Sequence, residues 1–171
     1  MPILRHGIPP ETRCRGTRSL IQSEQSPIMP KARKQFGSAD DIEHAFYDAI
    51  GRADLDALME LWADDEEIVC IHPDGTRLIG FAAIRTSWAN IFASGGVHIH
   101  PVQLHASQNM MSAVHNLIEE ISTSEGVKRD VHIIATNVYA KTPLGWRIVV
   151  HHASAAPGKH EPQKVSTTVL H

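Results

Sequence analysis

Cysteine is scarce: Cys14 and Cys70 are the only two in 171 residues. Neither stands in a C-x-x-C pair, so neither a disulfide scaffold nor a cysteine zinc site is expected, and a reducing cytoplasm fits. Aromatics make up only 5% of the chain, so aliphatic side chains must build most of the core. No apolar run approaches the roughly 18 residues of a membrane-crossing helix, and no membrane partner is expected. Positive charge is not in surplus either. The formal net charge is −3, which argues against a nucleic-acid partner. G-x-G-x-x-G, P-loop and G-x-S-x-G motifs are all missing, and neither cysteine sits in a recognisable nucleophile motif. No cofactor is expected.

What is present suits one domain with loose ends. The 42% apolar share is enough for a real core. Charge is uneven along the chain. Residues 1–38 carry seven Lys/Arg against two Asp/Glu, whereas residues 39–157 carry seven against sixteen. The first stretch also holds Pro2, Pro9, Pro10, Pro27 and Pro30 and lacks apolar periodicity. It reads as a disordered basic tail, residues 1–38, without the apolar region of a signal peptide. Met29 offers an alternative start, which would place residues 1–28 outside the native product. Residues 158–171 read as a second, flexible tail.

Between the tails the pattern is ordered. Ser38 with Asp41 resembles a capping box, and Ile42, Ala45, Phe46, Ala49 and Ile50 then repeat at helical spacing until Gly51. Asp54 caps a second helix that carries Leu55, Leu58, Met59 and Trp62 on one face. Glu67–His72 is a short strand, Pro73-Asp74-Gly75 a turn, and Thr76–Ile79 a returning strand. A third helix, Phe81–Ala93, turns Ile84, Trp88, Ile91 and Phe92 inward, and Gly95-Gly96 stops it. The period then becomes two. Residues 97–106, 110–122, 130–142 and 146–155 read as four long strands joined by short polar turns, an antiparallel meander. Helices first and strands after make an α+β domain over residues 39–157. Strands this long twist, so the expected fold is a cone: a strongly curved, mostly antiparallel sheet with three N-terminal helices packed on it, enclosing a pocket for a ligand.

Three stretches in that order resemble the SnoaL-like branch of the nuclear transport factor 2-like superfamily, which includes ketosteroid isomerases. They are Phe46–Ile50 with Asp54–Leu58 and Leu61–Asp65; Cys70–Gly75 running to Leu78-Ile79-Gly80 and Ser87-Trp88; and Gly145–Val149 ending in His151-His152-Ala153-Ser154. The last stretch also resembles the association domain of calcium/calmodulin-dependent kinases. The resemblance implies a cystatin-like cone with an interior pocket, and a homodimer formed through the outer face of the sheet. It does not imply one activity.

Aligned this way, His72 falls just before a proline where the isomerases keep a catalytic carboxylate. An imidazole there suits general-base work near neutral pH. Strand-end hydrogen bonding is the plainer role for it. An isomerase also needs a donor to the developing oxyanion, such as a tyrosine on the first helix. Phe46 aligns at that place. Tyr47 lies one residue on, turned by about 100°, and no second acid is identifiable. Trp62, Trp88 and Phe92 lie on apolar helical faces and serve either core or pocket wall, with Trp88 favoured for the wall. Trp146 reads as a core plug. His115 and Asn137 are polar positions in apolar strands and would demand partners if turned inward. His151 and His152 face opposite sides of one strand, and the sequence leaves open which of them meets the pocket. His152, which shares its side with Trp146, Ile148, Val150 and Ser154, is carried as the candidate. His98 and His100 share a strand face but complete no metal motif, so no metal is expected. The acidic runs Asp64–Glu67 and Glu119-Glu120 read as solvated surface.

The expected function is therefore binding of a small hydrophobic ligand, with isomerase- or cyclase-type chemistry on a carbonyl compound and His72 as general base. The alternative is a non-catalytic association module whose outer sheet face drives oligomerisation.

Overall fold

The computed structural model describes residues 35–122 and 128–156, without the side chains of residues 103 and 128–132. The expected tail up to residue 34, the turn at 124–126 and the tail from residue 157 lie outside the described residues.

The capping box at Ser38 starts α1 (Ala39–Arg52). Ser38 Oγ accepts the Asp41 N–H at 3.1 Å, and the Asp41 carboxylate accepts the Ser38 N–H at 3.1 Å. Such a cap is worth about 1 kcal/mol. Ile42, Phe46, Ala49 and Ile50 are all buried on one face. The helix runs one residue past Gly51 and closes at Ala53, whose φ of 52° is left-handed. The close approach here depends on Gly96, not on Gly51: a Cβ on Gly96 would overlap the carbonyl of residue 51, whereas a Cβ on Gly51 would meet only His98 Nδ1 at 3.6 Å. The helix end and the Gly95-Gly96 turn therefore meet backbone to backbone.

Asp54 caps α2 (Leu55–Glu60), which buries Leu58 and Met59. Trp62 lies beyond its end and bridges to Ile148. α3 (Phe81–Phe92) follows Gly80 and buries Ile84 and Trp88. The six strands are β1 (Val69–Ile71), β2 (Arg77–Ile79), β3 (His98–Gln108), β4 (Ser112–Ser122), β5 (Lys128–Thr142) and β6 (Gly145–Ala156). They form one curved, unclosed sheet in the order β2-β1-β6-β5-β4-β3. Among these six strands the β1–β6 pair is parallel and the other neighbours are antiparallel. The α+β architecture read from the sequence is the one observed.

Two local differences have physical causes. The disordered tail was expected to reach residue 38, yet Phe36 is buried and bridges Gly145. Its carbonyl accepts the Trp146 N–H at 3.3 Å, and the Arg147 guanidinium lies 5.7 Å from its ring centre. Gly145 allows this approach, because a Cβ there would come within 2.7 Å of the Phe36 oxygen. The second difference is a bulge in β6. Val138 pairs with Val150 while Tyr139 pairs with Ile148, so Val149 has no opposite number. One extra residue switches which parity faces inward. Trp146 and Ile148 point to the core before the bulge, and His151 and Ala153 do so after it.

Candidate functional site

Inside the curve of the sheet is a cavity of about 180 Å³. Its apolar wall is built from Ile50, Trp88, Ile91, Val97, Ile121 and Ile133, among others, and its polar groups come from His72, Glu119 and His151. A larger groove on the surface, about 670 Å³ beside Met110, Met111 and Lys141, is open to solvent and holds no pair of acid–base groups.

His72 is placed by the end of β1 and the turn after it. Its N–H donates to the Thr76 carbonyl at 3.0 Å and its carbonyl accepts the Gly75 N–H at 2.8 Å. The ring Nε2 lies 3.0 Å from Ser87 Oγ and the ring packs edge-on to Trp88 at 5.2 Å. In the tautomer that donates Nε2–H to Ser87, Nδ1 keeps its lone pair. Burial lowers the pKa of His72, with the nearby Asp74 charge pulling the other way. The ring is therefore neutral at pH 7.

The sequence places Glu119 on a solvated surface, and the structure turns it inward instead. It is only 2% exposed and its carboxyl faces the cavity. Strand alternation is the reason: Glu119 shares parity with Leu117 and His115, whereas Glu120 points the other way. The Tyr47 hydroxyl donates to Glu119 Oε1 at 2.9 Å. Burial pushes its pKa up to about 7; the Tyr47 hydrogen bond opposes that rise and the charge of Glu43 adds to it.

Behind the cavity lies a buried polar cluster centred on Glu43, a residue the sequence reading passed over. Glu43 Oε2 accepts from His115 Nδ1 at 2.9 Å, from the Tyr139 hydroxyl at 3.0 Å and, more weakly, from Asn137 Nδ2 at 3.5 Å. Asn137 Nδ2 also donates to the Tyr47 oxygen at 3.2 Å, and Asn137 Oδ1 lies 2.7 Å from His151 Nδ1. Every member thus has a partner, as burial demands. Burial raises the pKa of both Tyr47 and Tyr139, so they remain hydroxyls.

The expected site residues separate into groups. His72 and Trp88 line the cavity. Tyr47 does not line it, but its hydroxyl holds the cavity carboxyl from behind. His115 and Asn137 belong to the buried cluster rather than to the wall. Trp62 is fully buried core, stacked edge-on to Phe46 at 6.4 Å, and Phe92 packs on Trp88 at 5.5 Å; neither reaches the cavity. His152 as a pocket residue is corrected: it is exposed, and the Val149 bulge brings His151 inward instead. The Trp88 indole N–H is buried, and the Cys70 sulfur answers it weakly, short of hydrogen-bond geometry. His98 and His100 are exposed on β3.

These pKa shifts set the pH dependence of stability. Glu119 is raised from 4.5 to about 7, so the folded state holds its proton more tightly and stability falls as pH rises through that interval. The fall is about 3 kcal/mol. His151 is lowered from 6.5 to about 3, chiefly by burial, so stability falls as pH drops through that interval. Urea unfolding is expected to show a maximum between about pH 4.5 and 6.5, and Glu119→Gln is expected to remove the alkaline decline. Stability of the unaltered chain that climbs from pH 6.5 to 8 would contradict the assignment.

A profile of the SnoaL-like domain matches residues 40–158. A candidate calcium/calmodulin-dependent protein kinase type II association domain from Thiobacillus denitrificans is 32% identical, with a TM-score of 0.67 over 72% of this chain and 98% of that one. A candidate dehydratase of the NTF2-like family from Streptomyces avermitilis is 30% identical, with a TM-score of 0.61 over 68% of this chain and 92% of that one. A candidate ketosteroid isomerase from Parabacteroides distasonis shares the fold, at 18% identity and a TM-score of 0.58 over 74% of this chain and 98% of that one. No curated protein matches the chain. Among the described residues no helix is long and apolar enough to cross a membrane.

Proposed function

This chain belongs to the SnoaL-like domain family, and on that footing we propose that its cavity binds a small carbonyl compound and moves a proton on the carbon beside the carbonyl. One observation carries this: a carboxyl whose pKa is raised to about 7 shares an otherwise largely apolar cavity with a neutral imidazole. The two groups divide the work. His72 Nδ1 takes the proton from the α carbon. The electron pair left behind shifts onto the carbonyl oxygen, which accepts a hydrogen bond from protonated Glu119. His72 then returns the proton to carbon. Tyr47, spent on Glu119 Oε1, leaves Oε2–H as the donor.

Size narrows the ligand. A dry cavity of roughly 150 Å³ holds benzene, so about 180 Å³ suits a single ring or short acyl chain rather than a fused-ring steroid. The test is α-proton exchange of cyclohexanone in D2O, followed by proton NMR. Exchange well above the buffer rate is expected. Exchange at the buffer rate would remove the proposal and leave the association module, which the 32% identity to a candidate kinase association domain favours.

The proposal includes a second copy of this chain on the outer sheet face. Val114 is 39% exposed there, and Ile118, Ile134, Val138 and Val150 are only partly covered. Sedimentation is expected to give twice the chain mass, and Val138→Glu to return the monomer. A monomer at all concentrations would remove the dimer.

A further inference from the structure

The buried cluster fixes more than its own geometry: it decides which nitrogen of His151 carries a proton. Glu43 Oε2 already accepts from His115 and Tyr139, so it is an acceptor and Asn137 must turn its amide nitrogen toward it. The Tyr47 oxygen, whose own proton goes to Glu119, calls for the same orientation. Turning the amide over would set oxygen against oxygen at Glu43 and leave Tyr47 without its donor. Asn137 Oδ1 is thereby left facing His151 Nδ1 at 2.7 Å, and an oxygen can only accept. Nδ1 therefore holds the hydrogen. The His151 ring is neutral, because burial holds its pKa near 3. A neutral imidazole has one ring proton, so Nε2 is bare. His151 lines the cavity, and Nε2 has no hydrogen-bond partner among the described residues.

We propose that His151 Nε2 is a fixed hydrogen-bond acceptor of the cavity wall, and that it selects carbonyl compounds bearing a hydroxyl or N–H donor near the carbonyl. The proposal rests on the cavity being a ligand site and deepens the function given above. Glu119 offers the pocket a donor and His151 an acceptor, so the complementary ligand brings an acceptor and a donor, as in an α-hydroxy ketone. A ligand lacking the donor leaves Nε2 sealed against apolar atoms with its hydration lost. His72 and Trp88 stay outside the cluster that sets the tautomer: the ring of His72 is held by Ser87.

The test uses the full chain and two matched probes, 2-hydroxycyclohexanone and 2-methoxycyclohexanone. NMR titration is expected to show the hydroxy ketone binding about tenfold tighter or better. His151→Phe is expected to bring the two affinities together. A second readout needs no variant. Nitrogen-15 spectra of histidine-labelled protein should place the His151 proton on Nδ1, with Nε2 bare and shifting when the hydroxy ketone is added. A proton on Nε2, equal affinities for the two ketones, or binding of neither overturns the proposal. Exchange at the α carbon is read separately. Hydroxyl preference without exchange keeps His151 in its role and removes the proton-transfer chemistry, whereas exchange without preference does the reverse.

Discussion

His72→Gln is expected to slow α-proton exchange by about 10²–10⁴-fold, the usual contribution of a positioned general base. Glutamine keeps a polar group within reach of Ser87, which lies 3.0 Å from the native ring. It has no basic lone pair of comparable strength at neutral pH. The loss should therefore fall on kcat, with KM changed little, because the apolar wall that binds the ligand is untouched. Glu119→Gln should do less harm, since an amide N–H can still donate to the oxyanion from the same place. Rate measurements on the two variants separate the roles. A His72→Gln protein with undiminished exchange would remove His72 from the chemistry.

The largest effect on folding is expected at Glu43. Glu43→Leu strands two buried donors at once, from His115 and Tyr139, and removes the weaker contact of Asn137, which keeps its bond to Tyr47. Each unsatisfied donor costs about 1–3 kcal/mol, so a loss of about 2–6 kcal/mol is expected in urea unfolding, a large part of the stability of an ordinary domain. Glu43→Gln keeps one acceptor oxygen and should lose less. Both changes remove a negative charge that raises Glu119, so the Glu119 carboxyl should titrate below pH 7 in each. Carbon-13 shifts of labelled Glu119 read this directly. An unchanged titration would show that the two carboxyls do not interact.

Sequence periodicity was enough for the architecture because the long elements obey it. The capping box at Ser38, the 3.6-residue stripe from Ile42 to Ile50 and the two-residue alternation of β4 and β5 all appear where the pattern put them. The site was harder, because its polar residues lie on faces built for apolar ones. Glu43 falls between Ala39 and Phe46 on the buried stripe of α1, and Glu119 falls two residues beyond Leu117 on the inward face of β4. The parity that marked His115 as a residue needing a partner marks Glu119 as well, so that signal was legible. The exchange of His152 for His151 was not. It depends on one unpaired residue, Val149, and strand alternation carries no mark of where a bulge will fall. Phe36 was hidden for a related reason: its place depends on a contact with Gly145, 109 positions away in a sequence that looks structureless around it.

The pH–rate profile of α-proton exchange tests the division of labour between His72 and Glu119 most directly. The chemistry needs His72 without its proton and Glu119 with its own. The rate should rise through the lowered pKa of His72, below 6.5, and fall again near pH 7 as Glu119 ionises. A bell with both limbs there is the predicted result. A rate that climbs through pH 7 and levels off above it would contradict the account, since it would make the Glu119 carboxylate the base and leave His72 a bystander.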